Sequence, residues 1–285
     1  MCITLSAQST SNFQEDQIEE LCYGILNSDY DEEKVQLNKT LKAVLRKSLI
    51  QDGAFQYPFD RVQSLGILNS SDSNLRVFNW MVPFEDGSYS YECFLLYQME
   101  DSIAFLELNA LNSDSSIVDS IYYTKDNWPA ALYYKLITKE TEFKTYYTLL
   151  GWDGVNNQLN SKIIDVFTFS TKGQLRIGEP IFKTNVQNNK KRILFYYGGQ
   201  NRMKLSYNET LDWIIYDHLA PASSNLKGVY EYYGADFSYD AYRWEKRYWK
   251  YHADVDIDKG LSKKKSDFNS KKEILKDEEP IYKPN

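Results

Sequence analysis

Cysteine is almost missing from this chain. Cys2, Cys22 and Cys93 are scattered over 285 residues, an odd and sparse set that makes no disulfide framework and has no zinc spacing. Histidine is rarer: His218 and His252 stand alone, without metal-ligand spacing, and both read as packing or surface residues. Asp217 precedes His218, but neighbours on a strand point to opposite faces, so the two are no acid–base pair. No apolar run approaches the roughly 18 residues of a transmembrane helix. Catalytic signatures are missing too: there is no Gly-x-Ser-x-Gly elbow, P-loop, dinucleotide glycine fingerprint or His-Glu-x-x-His. Nor is there a basic excess. With 33 Lys and Arg against 40 Asp and Glu the net charge is −7, so no global field draws in phosphate backbones and nucleic acid is not an expected partner. Asp254, Asp256 and Asp258 imitate the start of a calcium loop, but Lys259 replaces its glycine and Lys265 its bidentate glutamate. No metal and no cofactor is expected.

What the chain has is tyrosine. The 24 Tyr bring aromatics to 15%, and rings that pack while a hydroxyl reaches water suit the pleated, half-buried surface of a sheet. At 42% hydrophobic and 26% charged the composition is that of a folded protein rather than a disordered one.

Two helices are expected first. Residues 13–28 place Ile18, Leu21, Cys22, Ile25 and Leu26 on one face, with Asn12 and Glu15 as a capping box. A second helix runs from about Asp31 to Ile50, with acids in its first turn, an apolar stripe through Leu37, Leu41, Val44, Leu45 and Leu49, and a stop at Asp52-Gly53. The period then becomes alternating. Leu75–Val82 should present Arg76, Phe78 and Trp80 on one face and Leu75, Val77 and Met81 on the other. Ser88–Gln98 and Ile103–Leu108 follow. Ala130–Thr138 and Phe143–Trp152 read as a hairpin across Lys139-Glu140, with Asp153-Gly154 opening an Asn-rich turn. Ile163–Phe169 should pair with Gln174–Ile177, and Arg192–Tyr197 with Arg202–Tyr207 across Gly198-Gly199. Leu211–Tyr216, Gly228–Tyr233, Tyr239–Trp244 and Tyr248–His252 complete the series.

The fold class is therefore mainly β: an antiparallel meander, as a sandwich, an open barrel or a propeller-like array, with two N-terminal helices. Residues 13–53 form the helical segment and 54–258 the β domain. Residues 1–12 read either as the remnant of a signal peptide, with small residues Ser6-Ala7 before Gln8, or as a frayed terminus. Residues 259–285 read as a flexible charged tail.

The candidate site lies where rings stand beside carboxylates at predicted turns: Trp152 and Asp153 at one, Tyr233, Asp236 and Tyr239 at another. Rings that stack on sugar faces and acids that accept hydroxyl hydrogen bonds would bind a glycan. The competing structural reading is that these rings merely cover the sheet. A shared site requires both turns to lie at one end of the sheet.

Several phrases together, Tyr57-Pro58-Phe59-Asp60, Leu75-Arg76-Val77-Phe78-Asn79-Trp80, Tyr147-Thr148-Leu149-Leu150-Gly151-Trp152-Asp153-Gly154 and His252-Ala253-Asp254-Val255-Asp256, resemble a family of uncharacterised exported proteins of Bacteroidetes. The resemblance spans about residues 13–258. It implies a β-rich body and a periplasmic or secreted location, and it carries no known activity. The leading expectation is a noncatalytic exported binding or envelope-associated protein of unknown ligand, with a glycan or an envelope component as the candidate partners. The alternative is a hydrolase acting on a glycan or other polymer through rim carboxylates.

Overall fold

The computed structural model describes residues 13–111, 117–184 and 190–258. The suspected leader and the charged tail lie outside these residues. Helix α1 spans Glu15–Asn27 and α2 Asp31–Leu49, and fourteen strands follow among the described residues. Strands β1 (Gly66–Asn69), β2 (Leu75–Pro83), β3 (Tyr89–Gln98) and β4 (Ile103–Leu108) make a first sheet in that order. A second sheet is built from β5 (Leu132–Glu140), β6 (Thr145–Asn156), β7 (Leu159–Phe169) and β10 (Ile193–Gly198), with β8 (Leu175–Ile177) also paired to β7. The third holds β11 (Leu205–Asn208), β12 (Trp213–Pro221), β13 (Tyr233–Glu245), β14 (Tyr248–His252) and β9 (Phe182–Lys183). The strand pairs are antiparallel except β9 on β14.

The alternation predicted for β2 explains the layering. Leu75 and Val77 join Cys93 and Leu95 against Tyr133, Leu149, Ile163 and Phe167 of the second sheet. Phe78 and Trp80 join Phe94 and Leu96 on the opposite face, against Ile18, Leu21, Leu41 and Leu45 of the helices. The far side of the second sheet, with Leu150, Ile164 and Val166, packs on Ile214, Tyr216, Tyr242 and Trp249 of the third. The result is a helical layer and three open sheets stacked face to face. None closes on itself, so the open-barrel alternative is set aside.

Two buried arginines fix loops to this stack. Arg76 turns towards the helical layer, where its guanidinium donates to the carbonyls of Ala54 (3.1 Å), Phe55 (2.9 Å) and Tyr57 (2.6 Å) and to Asn69 Oδ1 (2.8 Å). It also lies over the rings of Phe59 and Phe78. Burial pulls its pKa down to about 10. Arg192 is fully buried and donates to the carbonyls of Val118, Ile121 and Ile177. Its Nε lies 3.4 Å from Asp165 Oδ1, also fully buried. That contact is an ion pair without hydrogen-bond geometry, since Nε has no hydrogen-bond partner among the described residues; nor has the other carboxylate oxygen, Asp165 Oδ2.

Four local expectations need correction. Gln14, not Asn12, occupies the cap of α1, and Glu15 accepts from the Tyr57 hydroxyl (2.7 Å) and the Arg61 amide (3.0 Å) instead of closing a capping box. Gly198-Gly199 joins no hairpin: β10 pairs with β7 and β11 with β12, in different sheets. Gly228–Tyr233 is not a strand: Tyr230–Tyr232 form a 3-10 turn, and β13 begins only at Tyr233. Asp153-Gly154 opens no turn either. Strand β6 runs on to Asn156, whose side chain accepts from the amides of Gln158 (2.8 Å) and Leu159 (2.9 Å) and so makes the turn itself.

A candidate ligand-binding rim

Asp153 sits near the end of β6. It pairs with Ser161 on β7, and Ser161 pairs with Tyr196 on β10. Directly opposed residues share a face, so Asp153, Ser161 and Tyr196 form one cross-strand row. Ser161 is two residues from Ile163, which belongs to the core shared with the first sheet, so the row faces that sheet. There the Tyr91 hydroxyl accepts the Gly154 amide (2.9 Å) and donates to the Asp153 carboxylate. Burial pushes the Asp153 carboxyl up to about 6, against the opposing pull of the Tyr91 bond. Burial, with the Asp153 charge beside it, holds the Tyr91 phenol well above its usual range.

Rings stand on both faces of β6 here: Tyr91 and Tyr196 are on the Asp153 side, and Trp152, the adjacent residue, points to the other. Tyr89 meets Trp152 edge to face at 5.2 Å, and the Trp152 indole donates to the Tyr197 hydroxyl. Gly154 is required by this packing: a Cβ there would lie 2.5 Å from the Tyr89 ring and 2.8 Å from the Trp152 ring. Two strands from Asp153 in the same row, Tyr196 lies 5.6 Å from Tyr230, and Tyr230 lies 5.1 Å from Tyr233. The 3-10 turn carrying Tyr230 docks on β10 because Gly198 has no side chain; a Cβ there would stand 2.3 Å from the Glu231 carbonyl oxygen. Tyr233 is anchored at both ends, its hydroxyl accepting the Gly228 amide (3.0 Å) and its carbonyl the Asn201 side chain (2.7 Å).

The five predicted residues thus fall into two places. Trp152, Asp153 and Tyr233 are joined through Tyr196 and Tyr230, two rings the sequence did not distinguish from the many other tyrosines. Asp236 and Tyr239 lie farther along β13, within a strand rather than at a turn. There the register passes from Asp217↔Tyr239 to Leu219↔Ala235, so residues 236–238 bulge out opposite His218. Asp236 accepts from the Ser238 amide and hydroxyl, which lower its pKa. Phe237, at φ 70°, is 95% exposed. His218 Nδ1 lies 2.9 Å from Oδ2 of the buried Asp240, which also accepts the Tyr251 hydroxyl (3.0 Å) and the Asp254 amide (3.0 Å). That histidine–carboxylate pair was missed because its partner is 22 residues away, across a strand pair.

Chemically, the Asp153 rim offers a carboxyl that can accept or donate a hydrogen bond near neutral pH, set among flat apolar faces with hydroxyl edges. Compared with known proteins, the chain matches no family model, no curated protein and no solved structure.

Proposed function

We propose that this protein is a noncatalytic binding protein whose rim takes a neutral, hydroxyl-rich ligand, with an oligosaccharide as the fitting class. One observation carries the reading: a half-buried carboxyl, Asp153, lies between Tyr91 and Tyr196, and Tyr196 continues through Tyr230 to Tyr233, while Tyr89 and Trp152 meet at the same end of β6. Rings give stacking area at low entropy cost, and the carboxyl orients hydroxyls. Hydrolysis needs two carboxyls converging on one space. Asp119 does act on Tyr196 along with Asp153, but it is tied to Lys190 at 2.9 Å, and this favours binding over cleavage.

A panel of neutral oligosaccharides on an array, followed by calorimetry of the best ligand, tests the proposal. Tyr230 is 45% exposed, so Tyr230→Ala empties no core. It should weaken binding roughly tenfold, the order expected for loss of one stacked ring. Asp153→Asn should weaken it as well. No binding by the wild type, or unchanged affinity in both variants, refutes the reading.

A further inference from the structure

Away from the rim, the molecule gathers positive charge in one place despite its net charge of −7. Tyr122 is flanked by Arg176 (4.8 Å to the ring centroid) and Lys191 (4.5 Å). Arg176 and Lys144 share one carboxylate, the buried Glu179. Lys144 lies over Tyr146 at 5.6 Å. Tyr146 in turn feels the charges of Arg247 and Arg176 and lies close to Tyr248. Tyr248 carries Lys183 at 3.7 Å and Arg247 at 5.5 Å. The alternation is therefore Lys191, Tyr122, Arg176, Lys144, Tyr146, Arg247, Tyr248, Lys183: five cations on three rings. The one acid bridging them is buried, and among the described residues neither Lys183 nor Arg247 makes an ion pair. Glu245 sits nearby on β13 but is engaged by Lys250 (3.2 Å) and His252 (2.9 Å).

Tyr146 precedes Asp153 by seven residues on β6, which at ~3.3 Å per residue places the middle of the ladder about 23 Å from the rim carboxyl, while its Tyr122–Lys191 end runs towards Asp119 beside Tyr196. Its cations are distinct from the rim's rings and carboxyl. Cations laid on aromatic faces are held in fixed positions with less entropy to lose than on free side chains. Such an array suits an extended polyanion. It suits single-stranded nucleic acid poorly, because base stacking needs open ring faces and each of these rings already carries a cation.

We propose that this cation–tyrosine ladder binds a linear acidic polysaccharide, its carboxylate or sulfate groups paired with Lys144, Arg176, Lys183, Lys191 and Arg247. The inference does not depend on the rim. The full chain would be titrated with polygalacturonate as the carboxylate probe and dextran sulfate as the sulfate probe, with neutral dextran and a thymidine oligonucleotide as comparators. Binding should be confined to the charged polysaccharides, and it should weaken steeply as salt rises, because condensed counterions are released on association. Lys183→Gln with Arg247→Gln should reduce affinity roughly tenfold at low salt. Lys39→Gln with Lys47→Gln, both exposed on α2, removes the same net charge from the helical layer and should leave affinity unchanged. Equal losses in both double variants would reduce the effect to global charge and overturn the proposal. Oligonucleotide binding at or above polysaccharide affinity would overturn it too, as would no binding to either acidic polysaccharide.

Discussion

Replacing Asp153 by Asn should make the protein more stable at neutral pH, and the reason lies in the rim. The folded carboxyl titrates at about 6 instead of 3.8. A carboxyl raised by folding favours the folded state only while it is protonated. Its contribution is intact below about pH 3.8 and is lost as pH climbs from there through 6. A gap of about two units corresponds to about 3 kcal/mol at most. Because the group is only partly buried, solvent screening cuts the expected effect to ~1–2 kcal/mol. Asn keeps the shape and can still accept the Tyr91 hydroxyl, but it carries no charge to desolvate. Urea unfolding at about pH 4 should therefore give equal stabilities for the two proteins, and at about pH 7.5 the variant should lead by that ~1–2 kcal/mol. Every other titrating group cancels in the comparison. A variant that is weaker at neutral pH would show that the carboxylate is a structural asset, and one that differs equally at both pH values would show that its ionisation carries no penalty; either result refutes the reasoning. Loss of ligand binding together with a gain in stability would mark a residue retained for function at the expense of the fold.

Two further outcomes are expected. Arg76→Met should cost about 2–4 kcal/mol in urea unfolding, since it strands the Ala54, Phe55 and Tyr57 carbonyls in the core; a change below about 1 kcal/mol would show that water replaces the guanidinium. The Asp240 hydrogen bond raises the His218 pKa above its ordinary 6.5, so the bond's support is full below that value and fades as pH rises through the folded pKa. An NMR titration should show this upward shift vanish in Asp240→Asn, and a shift that survives would place its origin in Asp236.

What the sequence made legible is what short-range periodicity controls. The faces of β2 could be read because alternation separates Phe78 and Trp80 from Leu75 and Val77, and the two helices because their stripes repeat at 3.6 residues. Pairing partners were harder. Gly198-Gly199 has the composition of a hairpin turn, yet Gly198 serves the close approach of Glu231, a contact set by the third sheet. Asp153-Gly154 likewise looked like a turn, while Gly154 is there to make room for Tyr89 and Trp152. The rim was half visible: Trp152, Asp153 and Tyr233 stood out as rings and an acid, but Tyr196 and Tyr230 did not, since a tyrosine on every strand gives no contrast. The cationic ladder left no trace in a net charge, because its members come from six separated segments.

The order in which strands enter the sheets also sets how the molecule can assemble. Helices α1 and α2 and the whole first sheet come from one continuous stretch, Glu15 to Leu108. After β8 the chain leaves the second sheet for β9, returns for β10 and leaves again for β11. A nascent chain emerging from the ribosome can therefore finish the first sheet from local contacts alone, whereas β10 closes its sheet only after residue 193 has been made. Because β9 pairs with β14, the third sheet must wait for Tyr248–His252. Hydrogen exchange should accordingly resolve two opening units, an early-ordering one through residue 108 and a single later one holding the second and third sheets together. Three separate units, one per sheet, would contradict this order of assembly.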